Sequence, residues 1–177
     1  MKRRCLPICL MLSLAALAAA TTVVRRSLEE LARDSALIVH GRAGASSTRW
    51  ERGVLHTYTR IQVERTLKGS AASTVIVKQM GGRTEAYTQK VSGVRHWIEG
   101  QEVVLFLRPA ESGDAYVVTG LMQGNFIVRR QNGQTVVSNG VPDAGAREAR
   151  NGNVSDYRGT ELTLEQLEQR IRKAVAQ

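Results

Sequence analysis

Between Leu55 and Glu64 apolar and polar side chains alternate: Leu55, Thr57, Thr59, Ile61 and Val63 occupy one parity, His56, Tyr58, Arg60, Gln62 and Glu64 the other. A period of two places successive side chains on opposite faces of a strand, so the spacing predicts a strand over 54–67 with one buried and one wet face. Arg65 interrupts the buried parity just before Leu67 restores it. That break predicts a bulge, where a long strand bends around a small barrel. The stretch 103–107 is different, because Val103, Val104, Leu105, Phe106 and Leu107 are apolar at every position. Such a strand is covered on both faces, which makes it the expected central strand.

Further short segments rich in Val, Ile, Thr and aromatics occur at 37–40, 74–79, 87–91, 116–119, 126–130 and 135–138, separated by glycine-containing turns. Asn132-Gly133 falls between the last two and predicts a hairpin. Helical signals flank this β region. Ser27 with Glu30 three residues on forms a capping box ahead of Leu28 and Leu31, predicting a short helix over 27–35. Thr163 with Gln166 repeats the device before a stripe of Leu164, Leu167, Ile171 and Ala174, with Arg170, Arg172 and Lys173 complementing the helix dipole toward the C-terminus. Residues 139–160 lose all periodicity, and Asn139-Gly140, Pro142-Asp143, Asn151-Gly152-Asn153 and Arg158-Gly159 predict a long irregular loop. The expected organisation is a helical segment over 21–35, a β-barrel domain over 36–138, the loop, and a C-terminal amphipathic helix over 161–177.

The first twenty residues follow another pattern. Lys2, Arg3 and Arg4 precede an apolar run from Leu6 to Ala16, and Ala18-Ala19-Ala20 supply small residues for cleavage. This is a signal-peptide pattern, and it predicts a chain exported to the periplasm or beyond. The apolar run is shorter than the ~20 residues a membrane-spanning helix needs, so no transmembrane anchor is expected after cleavage. Thr21 and Thr22 stand where a lipoprotein would carry its cysteine. Cleavage near Ala20 also removes Cys5 and Cys9, leaving a mature chain with no thiol.

Charge adds a weak preference for anionic neighbours. The chain carries 25 basic and 16 acidic residues; without Lys2, Arg3 and Arg4 the balance is 22 against 16, a net of +6. The basic residues are dispersed rather than run together, which favours solubility over a dedicated nucleic-acid surface. Catalytic patterns are missing from the sequence. No serine sits in a Gly-x-Ser-x-Gly elbow, no mature cysteine exists, and Glu29-Glu30 and Glu165/Glu168 belong to helix surfaces. His40, His56 and His96 lie on separate segments, so no metal centre and no cofactor is expected.

Three ordered pieces carry a family likeness: 36–42 (ALIVHGR), 61–69 (IQVERTLKG) and 100–107 (GQEVVLFL). Together they resemble exported bacterial β-barrel domains similar to the netrin and tissue-inhibitor-of-metalloproteinase group of OB-like folds, over about residues 28–130. The resemblance implies a mainly β, small OB-like β-barrel of about five strands. Inhibition in that group works through an N-terminal cysteine, which the mature chain lacks, so only the scaffold carries over. The expected function is that of a non-enzymatic binding module for an envelope or secreted protein. Two alternatives are a groove for an anionic polymer, either nucleic acid or acidic glycan, and a protease inhibitor acting through a loop. Trp50, Tyr58 and Arg60 beside the first hairpin, with Arg95, His96 and Trp97 before the strand at 102–107, are the candidate binding residues, since aromatics and arginine anchor interfaces. The plainer alternative makes Trp97 a core plug and Trp50 a cross-strand packing residue.

Overall fold

The all-apolar stretch 103–107 needs cover on two sides, and the architecture supplies it. The computed structural model describes residues 22–140, 147–150, 153–156 and 159–176. In chain order these form β1 (Thr22–Val24), α1 (Leu28–Asp34), β2 (Leu37–Glu51), β3 (Val54–Lys68), β4 (Thr74–Met80), β5 (Gly82–Arg83), β6 (Thr88–Gln89), β7 (Glu102–Pro109) and β8 (Tyr116–Val118). A 3-10 turn (Leu121–Gly124) follows, then β9 (Asn125–Gln131), β10 (Gln134–Ser138), β11 (Arg147–Arg150), β12 (Asn153–Asp156), β13 (Glu161–Thr163) and α2 (Leu164–Val175). The signal-peptide segment, both cysteines and parts of the 139–160 loop lie outside the described residues.

The main sheet runs β13-β10-β9-β7-β2-β3-β4-β8, and β8 also pairs with β7. β7, β2, β3, β4 and β8 therefore make an OB-like barrel around which the ladder returns to its start. The return is thin. β8 has three residues and meets β4 in parallel through one registered pair, Val77 with Tyr116, so the barrel is not closed along its length.

Central β7 presents Val103, Leu105 and Leu107 to the barrel interior, with Leu37, Val39, Ile61, Val77 and Trp97. Its other face presents Val104 and Phe106 to a second core beneath the helices, with Leu31, Phe126, Val137, Leu167 and Ile171. All five residues from Val103 to Leu107 are fully buried, as two-sided cover requires. Both helices begin at the capping boxes read from sequence: Glu30 N–H donates to Ser27 Oγ (3.1 Å) and Gln166 N–H to Thr163 Oγ1 (3.2 Å). Arg170 joins the helices by donating through two nitrogens to the Glu29 carboxylate at 2.8 and 2.9 Å.

The alternation in β3 holds, with Leu55, Thr57, Thr59 and Ile61 buried and Arg60, Gln62 and Glu64 exposed. The expected bulge near Arg65 is present and double. Pairing passes from His40–Arg65 to Gly41–Val63, skipping Glu64, and from Ile38–Lys68 to Val39–Thr66, skipping Leu67. Gly41 sits inside the first bulge, where a Cβ would lie 2.1 Å from the Gln62 carbonyl oxygen.

Three expectations change. The strand at 37–40 extends to Glu51, because its second half is polar, exposed and held by pairing to β3 rather than by a hydrophobic face of its own. The strand expected at 87–91 shrinks to Thr88–Gln89 paired with Gly82–Arg83, since no longer neighbour lies alongside. The loop 139–160 contains β11 and β12, an antiparallel pair that aligns in parallel with β1; short polar strands of this kind carry no hydrophobic period to read.

Candidate functional site

At the tip of the β2–β3 hairpin, Arg52 and Gly53 both take left-handed conformations (φ 49° and 80°), the geometry of a tight two-residue turn. The register that follows pairs Arg49 with His56 and Glu51 with Val54 on β3, and Tyr58 with Lys78 on β4. Alternation then carries Arg49, Glu51, His56, Tyr58, Lys78 and Met80 onto the outer face of the sheet, opposite the barrel core.

Glu51 organises this face. Its carboxylate accepts from Lys78 Nζ (2.5 Å), the Tyr58 hydroxyl (2.5 Å) and Arg49 Nε (2.8 Å). Those bonds, the one from Lys78 first, hold its pKa down to about 2, and Glu51 in turn raises the pKa values of Lys78 and Arg49. The Arg49 guanidinium lies 4.1 Å from the Tyr58 ring centroid and Lys78 Nζ 5.5 Å, so the phenol is clasped by two cations. Next to Arg49 in the chain, Trp50 stands half exposed with its ring edge-on to Tyr87 at 5.7 Å.

A groove of about 740 Å³ borders the cluster, between Val54, His56, Lys78 and Met80 on the sheet and Arg108, Glu111 and Ser112 around the β7–β8 turn. In that turn the Ser112 hydroxyl donates to Asp114 and holds its carboxyl below the usual range. A smaller cavity of about 220 Å³ adjoins it, sharing Lys78, Met80, Arg108 and Val117.

The candidate residues separate. Tyr58 belongs to the Glu51 cluster, and Arg60 is exposed one step further along the same face. Trp50 is registered opposite Leu55 on β3 and its ring also meets Tyr87 edge-on. Arg95 and His96 are half-buried: the Arg95 guanidinium donates to the Gly140 carbonyl, and His96 Nε2 lies 3.0 Å from the Met80 carbonyl oxygen. Trp97 is 7% exposed and donates through Nε1 to Asn125 Oδ1 at 2.9 Å, so it is the core plug and leaves the exposed set. Arg49, Glu51, Lys78, Met80, Tyr87 and Arg108 escaped the sequence reading. Lys78 and Met80 do lie on the wet parity of β4, but which strand they face is a matter of register.

One further cluster draws together His40, Glu64 and Glu102, whose potential ligand atoms lie within 4.8 Å of one another. Each is already engaged: His40 Nε2 is 2.8 Å from Glu102, Arg42 bridges Glu64 (2.8 Å) and Glu102 (2.9 Å), and Arg65 reaches His40 Nδ1 at 3.1 Å. A cation would have to displace Arg42 from both carboxylates. The sequence reading, which weighed histidines alone, missed this grouping because the β3 bulge and the β2–β7 pairing create it.

No protein-family model matches this sequence, and no curated protein matches it. The likeness to the netrin and tissue-inhibitor group thus stands on the three sequence pieces. Among the described residues no helix is long and apolar enough to cross a membrane.

Proposed function

We propose that this chain is an exported, non-enzymatic module that binds an envelope or secreted protein through the outer face around Tyr58 and the adjoining groove. The observation that carries the reading is the Glu51 cluster: one carboxylate fixes Arg49, Tyr58 and Lys78 on the outer face, bordering the groove, whereas the Trp50–Tyr87 pair lies on the other face of the hairpin. Tyrosine, tryptophan and arginine are the residues that concentrate energy at protein interfaces. Side chains already held in place lose less freedom on association. Met80, 43% exposed at the groove, adds apolar surface to the same region. Export rests on the pattern of residues 1–20.

The test is a photocrosslinking residue placed at Met80, at the edge of the groove, in the full chain expressed in its own host. A discrete cross-linked partner, lost in a Tyr58→Ala variant that remains folded, is the expected result. The absence of any cross-link at Met80 overturns the reading.

A second reading has its own observation. Arg52, Arg60 and Arg108 are exposed and make no ion pair among the described residues, which suits an anionic polymer. Binding to such a polymer would fall steeply with salt, whereas the protein interface would lose little affinity between low and physiological ionic strength.

A further inference from the structure

His40 is buried, at 5% exposure, with both ring nitrogens engaged. It lies on β2 in register with Arg65 of β3, and Arg42, two residues on, is in register with Glu102 of β7. Nε2 is 2.8 Å from Glu102 Oε1, and Nδ1 is 3.1 Å from the Arg65 guanidinium. An ionised carboxylate only accepts and a guanidinium only donates. The two contacts therefore fix the ring: Nε2 carries the proton and donates to Glu102, while Nδ1 carries none and accepts from Arg65. The imidazole is neutral in this arrangement.

Arg65 also reaches beyond His40. The same guanidinium donates to both carboxylate oxygens of Glu168 on α2. The Glu168 side chain is only 12% exposed, and among the described residues its one other ion-pair partner is Arg172, at 3.7 Å on the next turn. Leu167 and Ile171, on either side of it, are fully buried in the core beneath the helices. Across the ring, Glu102 accepts from Arg42 at 2.9 Å, and Arg42 also donates to Glu64 at 2.8 Å. The charged groups around His40 are thus Arg42 from its own strand, Glu64 and Arg65 from β3, Glu102 from β7, and Glu168 with Arg172 from α2.

We propose that His40 is an acid-released latch on α2: a proton taken up at Nδ1 sets an N–H against the Arg65 guanidinium, Arg65 swings away, and α2 loosens around Glu168. Two donors that both carry positive charge do not hold a hydrogen-bond contact. Arg65 is half exposed and has solvent to move into. On leaving, it either draws Glu168 outward or strands a largely buried carboxylate without its hydrogen bonds, which is costly. Either way the cost falls on the turn that carries Leu167 and Ile171. Imidazole is the side chain that gains its proton between about pH 8 and 5, so the latch is closed at neutral pH and opens in mild acid. It holds or fails independently of what binds at the Tyr58 face.

The test is hydrogen exchange of the α2 amides in the protein purified from its own host, compared at about pH 7.5 and about pH 5.5 and corrected for intrinsic rates. Protection over Glu165–Arg172 is expected to fall about tenfold or more at the lower pH, the equivalent of one charge-assisted hydrogen bond, while β7 stays protected. His40→Gln offers one donor and one acceptor with no proton to gain, so it keeps the protection at the higher pH and loses the fall. Glu168→Gln brings protection at the higher pH down toward the level the unaltered protein reaches in acid. Equal protection of α2 at both pH values overturns the proposal, and so does a fall that persists in His40→Gln. Should His40→Gln not fold, the ring nitrogen shifts of the unaltered protein decide. An Nε2–H form at neutral pH that gains a proton at Nδ1 in step with the loss of protection supports the latch; an Nδ1–H form, or a proton gained with no change in α2, overturns it.

Discussion

Under α1 and α2, the rings of Phe106 and Phe126 meet at 5.7 Å in a core closed by leucine, isoleucine and valine from two helices and four strands. Along the seam where β4 meets β8, a single registered pair holds the ladder, a buried amide oxygen has no partner among the described residues, and two grooves open beside it. The two regions occupy different parts of the sheet and follow different physics. The helix side satisfies its side chains internally, and its stability comes from buried apolar area and close packing. The seam leaves surface and hydrogen-bonding capacity unused by folding. Regions of that second kind can take a ligand without disturbing the core.

The comparison breaks most readily at Phe106. Phe106→Ala removes the largest side chain shared by β7 and the helices and is expected to cost about 3–5 kcal/mol, read from urea unfolding. A cost below about 1 kcal/mol would mean that the helices do not rely on this core. Gly41→Ala acts on the β2–β3 bulge, forcing a Cβ toward the Gln62 carbonyl; a loss of about 1–3 kcal/mol is expected by the same measurement.

A smaller effect separates the two sides by pH. Glu51 has a folded pKa of about 2 against an ordinary 4.5, so its contribution is present above that ordinary value and is lost as pH falls toward 2. Glu51→Gln is expected to flatten the decline of the unfolding midpoint between pH 4.5 and 2, and an unchanged slope would show that the cluster does not form. The smallest change is expected at the seam itself, where Met80→Ala should shift stability by no more than about 0.5 kcal/mol because the side chain is 43% exposed. A much larger loss would place Met80 in a core and remove the contrast.

Much of the helix side was legible in sequence, because its signals are local. The capping boxes at Ser27 and Thr163, the two-sided strand 103–107 and the alternation of 55–64 each need only a few neighbouring residues to be read. The second half of β2 was not legible, since Gly44 to Glu51 become a strand by pairing with β3. The candidate site was read in part. Tyr58 and Trp50 were visible as exposed aromatics, but Trp97 was buried by contacts with distant strands. Glu51 gained its role from Lys78, which is brought to it by register.

Sequence by itself determined which face of β3 is wet, where both helices start and that β7 lies at the centre, because periodicity and capping are properties of adjacent residues. Tertiary structure alone decided that Arg49, Glu51, Tyr58 and Lys78 share one cluster, that Arg42 holds Glu64 and Glu102 together, and that Gln79 keeps a buried oxygen without a partner among the described residues. Those facts depend on strand register, bulges and the incomplete closure between β4 and β8. They are set by the whole chain folding at once and leave no local period behind.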